Sequence, residues 1–150
     1  MPAKSLNEVY DYALSLYGTP YQWGGGHNNA LKSHYGLDCS GFVRRLLDYA
    51  GQEPKGDHTC DDYYHYFLGN GHFKTSGLGS IAFYGTPDRV VHMGFCLDDK
   101  VMINAGGGGS NVNTALIAQR LHAFVKIEPI HLRKNFVCTI MPFYKLPTKA

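Results

Sequence analysis

Three residues of this sequence, Cys39, His92 and Asn104, carry side chains that could together perform nucleophilic catalysis. A thiol nucleophile needs a base that takes its proton and later returns it to the leaving group. The base in turn needs a partner that fixes its tautomer and its orientation. We therefore predict Cys39 as the nucleophile, His92 as the base and Asn104 as the residue that orients His92.

The segment around Cys39 predicts that this residue opens an amphipathic helix. Apolar residues recur at helical spacing from Phe42 to Ala50, and Gly51 is placed to end the helix. A cysteine in the first turn lies at the positive end of the backbone dipole, which favours thiolate over thiol. On this local pattern alone, a buried structural cysteine is an equal alternative.

The second half of the chain predicts an antiparallel sheet that positions the other two residues. Short apolar or alternating runs at 81–84, 92–97, 101–105 and 136–143 are separated by Gly, Pro and Asp clusters, as is typical of strands. Asp98-Asp99 supplies a hairpin turn between the second and third runs. Because hairpin strands lie side by side, His92 and Asn104 are expected to be neighbours.

Further helices and a loop are predicted around the Cys39 helix and the sheet. Ser5 and Glu8 have the spacing of a capping box before a first helix, and Thr59 caps a third helix rich in aromatic residues. Another helix is predicted from Asn113 or Thr114 to about Ala123. The tryptophan and three glycines of 21–26 allow close backbone approach.

Several histidines and cysteines have no predicted role in catalysis. His27 and His34 fall in a polar segment and are expected to be solvated. The cysteines other than Cys39 are expected to be buried and inert; they are Cys60, Cys96 and Cys138.

Composition limits the classes of protein to which the chain can belong. Its 150 residues, 44% hydrophobic and 17% charged, predict one globular domain over 1–150. The net charge of +2 and the lack of a Lys/Arg block argue against a nucleic-acid partner. The four cysteines lack CxxC spacing, so we expect neither a zinc site nor any other metal or cofactor.

The N-terminal residues bear on where the protein acts. Asn7, Glu8 and Asp11 interrupt the stretch in which a secretory signal would be apolar, and no run approaches the ~18 apolar residues of a membrane span. We expect no signal peptide and no membrane span, so the chain would be cytoplasmic on synthesis. A target outside the cytoplasm would then be reached by lysis, by injection or with a particle.

Several motifs match those of a known enzyme family. They are Tyr21-Gln22-Trp23-Gly24-Gly25, Asp38-Cys39-Ser40-Gly41-Phe42-Val43, Gly79-Ser80-Ile81-Ala82-Phe83-Tyr84, Val91-His92-Met93-Gly94-Phe95 and Met102-Ile103-Asn104-Ala105. Through these motifs the chain resembles the NlpC/P60 cysteine peptidases, papain-like enzymes that cleave peptides of bacterial cell walls. The resemblance covers roughly residues 5–110.

This resemblance implies a fold, a reaction and a set of substrate contacts. The fold would be α+β and papain-like, with N-terminal helices and the nucleophile helix packed on a central antiparallel sheet. The enzyme would be a monomer that hydrolyses the bond from D-glutamate to meso-diaminopimelate or lysine in peptidoglycan stem peptides. Asp38 and Ser40 would hold substrate and Tyr21 would support the oxyanion, although Asp38 could instead only cap the helix and Tyr21 only pack.

Two departures from the family pattern leave other functions open. Asn104 stands where the family more often has histidine, and no wall-binding domain accompanies the catalytic one. The C-terminal residues resemble those of standalone phage or prophage members, which implies association with a phage particle. The alternatives are a CHAP-like amidase, another γ-glutamyl amidohydrolase, or a non-catalytic phage tail or baseplate component with this fold.

Overall fold

Three helices come first along the chain and most of the sheet follows them, in agreement with the strands predicted in the second half of the chain. The computed structural model describes residues 4–27, 35–73, 76–107 and 109–147. The helices are α1 (Leu6–Ser15), α2 (Cys39–Tyr49), α3 (Cys60–Asn70) and α4 (Ala115–Arg120), with a 3₁₀ turn at Ile130–Leu132. The strands are β1 (His72–Phe73), β2 (Ile81–Thr86), β3 (Arg89–Cys96), β4 (Val101–Gly106), β5 (Phe124–Pro129) and β6 (Phe136–Met141).

The six strands form one antiparallel sheet in the order β1-β6-β2-β3-β4-β5. This arrangement, with the helices before it, confirms the predicted α+β fold. The sequence analysis did not predict β1 or β5. β1 has two residues, too few to show a period, and β5 is an edge strand that buries only Val125 fully.

Helix α2 packs its apolar side on the centre of the sheet and so fixes where the first turn of the helix lies. Phe42, Val43, Leu46 and Leu47 are fully buried against a core that includes residues of β3 and β4. Asp38 caps the helix, the alternative that the sequence left open for it, since its Oδ1 accepts a hydrogen bond of 2.7 Å from the Gly41 N–H. The buried side therefore orients the helix while the cap sets its first residue.

Helix α3 also packs on β3 and brings a second helix N-terminus to the same edge of the sheet. The Thr59 side chain accepts from the Asp62 N–H, and the Asp62 side chain accepts from the Thr59 N–H. Of its aromatic residues, Tyr63 and Phe67 are buried, whereas Tyr66 is 41% exposed. No helix in the described parts of the chain combines the length and the apolar character that crossing a membrane would require.

The glycine-rich loop 20–26 lies in backbone contact with the start of α2. The Asp38 N–H donates to the Gly25 carbonyl at 3.1 Å, and the Leu37 N–H donates to the Pro20 carbonyl at 3.0 Å. A Cβ on Gly41 would collide with the Gly25 carbonyl oxygen. The loop and the helix therefore approach as closely as two backbones can, and any side chain at Gly41 would push them apart.

This packing predicts opposite effects for alanine at two helical glycines. Gly41→Ala should lower the free energy of unfolding by about 1–3 kcal/mol, because the added methyl group overpacks the contact with Gly25. Gly69→Ala in α3 is the matched control, since a Cβ there meets nothing within 4 Å. It should raise the free energy of unfolding by about 0.5–1 kcal/mol. Urea denaturation of both variants measures this, and equal effects at the two positions would contradict the packing argument.

Candidate active site

A cleft of about 770 Å³ opens where the starts of α2 and α3 meet the edge of the sheet. Its walls include Cys39 and Cys60 from the two helices, His92 from β3 and Gly106 from the end of β4. Among the described residues, no group of three or more His, Cys, Asp or Glu side chains is arranged to hold a metal ion.

Cys39 is the first residue of α2, half-buried at the bottom of this cleft. The acidic group at this end of α2 is the capping residue Asp38, whose negative charge raises the pKa of Cys39 and so partly offsets the positive end of the helix. The Sγ of Cys39 lies 4.0 Å from the carbonyl oxygen of Val91, the residue before His92. The sulfur atom of Cys39 thus lies next to both the N-terminus of α2 and strand β3.

His92 and Asn104 lie side by side on β3 and β4, as the predicted hairpin requires. His92 Nε2 lies 2.6 Å from Asn104 Oδ1, and both residues are buried. Asn104 Nδ2 donates to the carbonyl oxygen of Lys126 on β5 at 3.3 Å, which turns the amide oxygen toward His92. Because an amide oxygen only accepts, His92 must carry its proton on Nε2, and Nδ1 is left as the basic nitrogen.

Cys60 is a residue of this site that the sequence analysis missed. It was expected to be buried and inert, yet its Sγ lies 3.2 Å from Cys39 Sγ, and both thiols are free. Cys60 is the first residue of α3, so two helix N-termini converge on the sulfur pair. In the sequence the cysteines lie in separate helices, and only the packing of α2 and α3 on β3 brings them together.

The contact between the two sulfur atoms shifts the pKa values of the two thiols in opposite directions. The hydrogen bond from Cys60 is the largest cause that lowers the pKa of Cys39 well below its usual value. Burial opposes this, while the hydrogen bond and charge of His92 lower the pKa further. For Cys60 the same sulfur-sulfur hydrogen bond has the opposite effect: together with burial, it raises the pKa of Cys60 far above its usual value. Cys39 is therefore the thiolate and Cys60 the thiol that donates to it.

His27 holds the two residues that were predicted to contact substrate, and the prediction that it is solvated is wrong. His27 Nε2 lies 2.8 Å from both Asp38 Oδ1 and Ser40 Oγ, and Nδ1 lies 2.7 Å from Asp57 Oδ1. Only 10% of its side chain is exposed. The glycine-rich loop turns His27 back toward α2, which the polar character of the surrounding sequence does not indicate. His34, also expected to be solvated, lies outside the described residues.

The His27 cluster keeps the imidazole charged at neutral pH. Burial by itself would lower the pKa of His27, but the hydrogen bonds and charges of Asp38 and Asp57 outweigh it and raise the pKa to about 9. Burial likewise opposes ionisation of Asp57, yet His27 and Arg44 together lower the pKa of that carboxyl. Two cations thus face two carboxylates on this wall of the cleft.

Tyr21 lines the opposite part of the cleft and is only 4% exposed. Burial is the main cause that raises the pKa of its hydroxyl, and the negative charges of Cys39 and Asp38 raise it further. The hydroxyl therefore stays protonated and can donate a hydrogen bond. Five of the six predicted site residues thus line one cleft, with Asp38 and Ser40 already bonded to His27, while the fully buried Asn104 contacts His92 from within the sheet.

Removal of the second thiol should make Cys39 less acidic. In Cys60→Ala the donor to the Cys39 thiolate is gone, so the pH midpoint of Cys39 alkylation by iodoacetamide should move to higher pH. Mass spectrometry of the Cys39 peptide measures the rate at each pH. Cys138→Ala, which removes a cysteine outside the cleft, should leave the midpoint unchanged. An unshifted midpoint in Cys60→Ala would show that Cys60 does not stabilise the thiolate.

The charge on His27 should make stability depend on pH in a defined window. Because its folded-state pKa of about 9 lies above the ordinary value of 6.5, its contribution is complete below pH 6.5 and is lost as pH rises through 9. The free energy of unfolding of the wild type, minus that of His27→Gln, should therefore fall between these pH values. Urea denaturation at several pH values measures the difference. Parallel curves for the two proteins would disprove a charged His27.

Comparison with known proteins places this cleft in a family. The sequence profile of the NlpC/P60 family matches residues 18–126, which include the whole predicted triad. Probable peptidoglycan endopeptidase LytE of Bacillus subtilis is 26% identical over 111 residues, which cover 73% of this chain and 30% of LytE. The chain therefore spans less than a third of the length of this curated relative.

Solved structures of similar fold include hydrolases and one protein without activity. The peptidoglycan hydrolase RipB of Mycobacterium tuberculosis superposes with a TM-score of 0.63 at 24% identity, over 91% of this chain and 63% of RipB. RipD of the same organism, described as a non-catalytic NlpC/p60 domain protein adapted to peptidoglycan binding, gives a TM-score of 0.66 at 18% identity over 93% and 98%. Family profile and fold agree, and the chain belongs to the NlpC/P60 family.

Proposed function

We propose that this chain is a cysteine endopeptidase that cleaves peptidoglycan stem peptides between the γ-carboxyl of D-glutamate and meso-diaminopimelate or lysine. The observation that carries the proposal is a cysteine in the first turn of α2, bonded to a second thiol, in the same cleft as a histidine whose tautomer Asn104 fixes. Membership of the NlpC/P60 family supports the substrate class, as does the likeness to the probable endopeptidase LytE.

In the first half of the reaction, Cys39 forms a bond to the substrate. Its sulfur attacks the γ-carbonyl carbon of D-glutamate, and the carbon-nitrogen bond to the diamino acid breaks. His92 Nδ1, which has taken the proton of the Cys39 thiol, gives that proton to the departing amine. A thioester on Cys39 remains. His92 is again neutral, and its Nε2–H still donates a hydrogen bond to Asn104 Oδ1.

In the second half, water releases the product. The neutral Nδ1 of His92 takes a proton from a water molecule as its oxygen attacks the thioester carbon. The carbon-sulfur bond then breaks, which frees the D-glutamyl γ-carboxylate and restores the Cys39 thiolate. Because Asn104 keeps the Nε2 proton in place throughout, the same nitrogen of His92 serves both halves.

Two donors are suited to stabilise the oxyanion that forms in each half. The backbone N–H of Cys39 belongs to the first turn of α2, where N–H groups have no acceptor within the helix. The Tyr21 hydroxyl stays protonated in the same cleft. We assign these two groups to the developing negative charge.

Asp38 and Ser40 act on the substrate as part of the His27 cluster in this proposal. His27 and Arg44, of which only His27 lines the cleft, balance the charges of Asp38 and Asp57, so this wall offers hydrogen bonds more than net charge. The Ser40 hydroxyl is therefore suited to polar groups of the stem peptide, and the Asp38 carboxylate, engaged by the loop and by His27, holds Ser40 in place.

The test is cleavage of defined muropeptides, followed by mass spectrometry of the products. Wild-type protein should release the fragment that ends in D-glutamate from substrates with meso-diaminopimelate or lysine. Cys39→Ala should abolish cleavage, and His92→Gln should lower kcat by about 10²–10⁴-fold because the general base is lost. Cys138→Ala, matched in size of change to Cys39→Ala, should cleave at the wild-type rate. Cleavage by folded Cys39→Ala would refute the mechanism.

The same assay separates the other candidate functions. A CHAP-like amidase or another γ-glutamyl amidohydrolase would give different products or act only on other γ-glutamyl compounds. The likeness to RipD favours one further candidate, a peptidoglycan-binding protein without activity. Binding to purified cell walls with no cleavage by the reduced, folded wild type would support that candidate.

A further inference from the structure

We propose that Arg133 is a carboxylate-binding residue of the cleft and selects substrates with a free carboxylate next to the scissile bond. The inference rests on the proposed function, since it names a substrate group for the same site. Arg133 lies outside the segment that the family profile matches and outside every motif of the sequence analysis.

Arg133 reaches the cleft beside the far end of the triad. It follows the 3₁₀ turn and lines the same cavity as Cys39 and His92. Its Nη2 and the Oδ1 of Asn104 each lie 3.2 Å from the point where a Cβ on Gly106 would stand. The guanidinium thus occupies space beside the Asn104 amide that a side chain at Gly106 would constrict.

The fold holds this guanidinium in a defined orientation. Its central carbon lies 5.9 Å from the centre of the Tyr84 ring, at the outer range of a cation-π contact. The Tyr84 hydroxyl donates to the carbonyl oxygen of Ile130 at 2.7 Å and so ties the 3₁₀ turn to the sheet. Arg133 follows directly on this tethered turn, which limits where its side chain can lie.

Arg133 has no counter-charge among the described residues. None of their ion pairs includes it, and its buried Nε has no hydrogen-bond partner. Four carboxylates line this cleft, those of Asp38, Asp57, Asp61 and Asp88, and none of them forms an ion pair with Arg133. Asp38 and Asp57 are already engaged by His27. A half-buried guanidinium that lacks a partner costs stability, and an incoming carboxylate would supply the missing partner.

The proposed substrate offers a carboxylate on either side of the bond to be cut. A D-glutamate linked through its γ-carboxyl keeps its α-carboxyl free, and the diamino acid carries carboxyl groups of its own. A planar guanidinium matches a carboxylate through two parallel hydrogen bonds, whereas a carboxamide cannot offer two acceptors. Arg133 should therefore discriminate between acid and amide forms of the stem peptide.

The experiment compares three synthetic stem peptides, with both carboxyls free, with the D-glutamyl α-carboxamide, or with the carboxamide of the diamino acid. Wild-type kcat/KM should be about tenfold or more higher for the free acid than for one of the two amides. The amide that loses activity identifies which carboxylate Arg133 binds. In Arg133→Gln, kcat/KM for the free acid should fall by about the same factor. The ratio of kcat/KM for the acid to kcat/KM for the amide should therefore fall toward one.

Two further variants control for charge and for folding. Arg89→Gln, which removes the other arginine of the cleft, an exposed one, should keep the wild-type ratio. Arg133→Lys should keep only part of it, since it retains charge without the planar fork. Arg133→Gln should unfold at a temperature no lower than the wild type. Equal losses of kcat/KM on all three peptides, or a clear loss of stability, would overturn the assignment.

Binding to the inactive Cys39→Ala variant separates this inference from the proposed reaction. Calorimetry should show tighter binding of the acid than of the same amide, and Arg133→Gln in that background should remove the difference. Such binding without any wild-type cleavage would refute the endopeptidase and leave the carboxylate site standing. Cleavage with no preference between acid and amides would refute the carboxylate site and leave the endopeptidase standing.

Discussion

The carboxylate of Asp38 is the group on which the rest of the site depends. Its Oδ1 accepts from the Gly41 N–H and so fixes where α2 begins, and its Oδ2 accepts from the Gly24 N–H at 3.0 Å. The same carboxylate faces the charged ring of His27. One side chain therefore sets the first residue of the nucleophile helix, holds the glycine-rich loop and keeps a cation at the cleft.

The base is held by a second set of contacts, which comes entirely from the sheet. The carbonyl oxygen of Lys126 on β5 orients the Asn104 amide, and the amide fixes the tautomer of His92. These hydrogen bonds join only residues of β3, β4 and β5, and His92 faces α2 across the cleft. Nucleophile and base are thus built by different layers of the fold, and the packing of α2 on β3 and β4 brings them into register.

What could be predicted from the sequence follows the range of the interactions involved. The cap at Asp38 and the pairing of His92 with Asn104 depend on a helix start and a short hairpin, so local patterns indicate both. The contacts of Cys60 and His27 depend on how separate elements pack, and no spacing in the sequence encodes them. Strand β5 was missed for a similar reason, because it is a half-exposed edge whose place is set by its partner β4.

The glycines beside α2 show where this sequence can drift and where it cannot. Space that a carbonyl oxygen already fills, as at Gly25 and Gly41, admits no side chain of any chemistry. At Gly69 of α3, by contrast, an added Cβ would meet nothing within 4 Å. Substitution beside the start of α2 is therefore limited by main-chain atoms that cannot rotate away, whereas at Gly69 it is limited only by the chemistry of the new side chain.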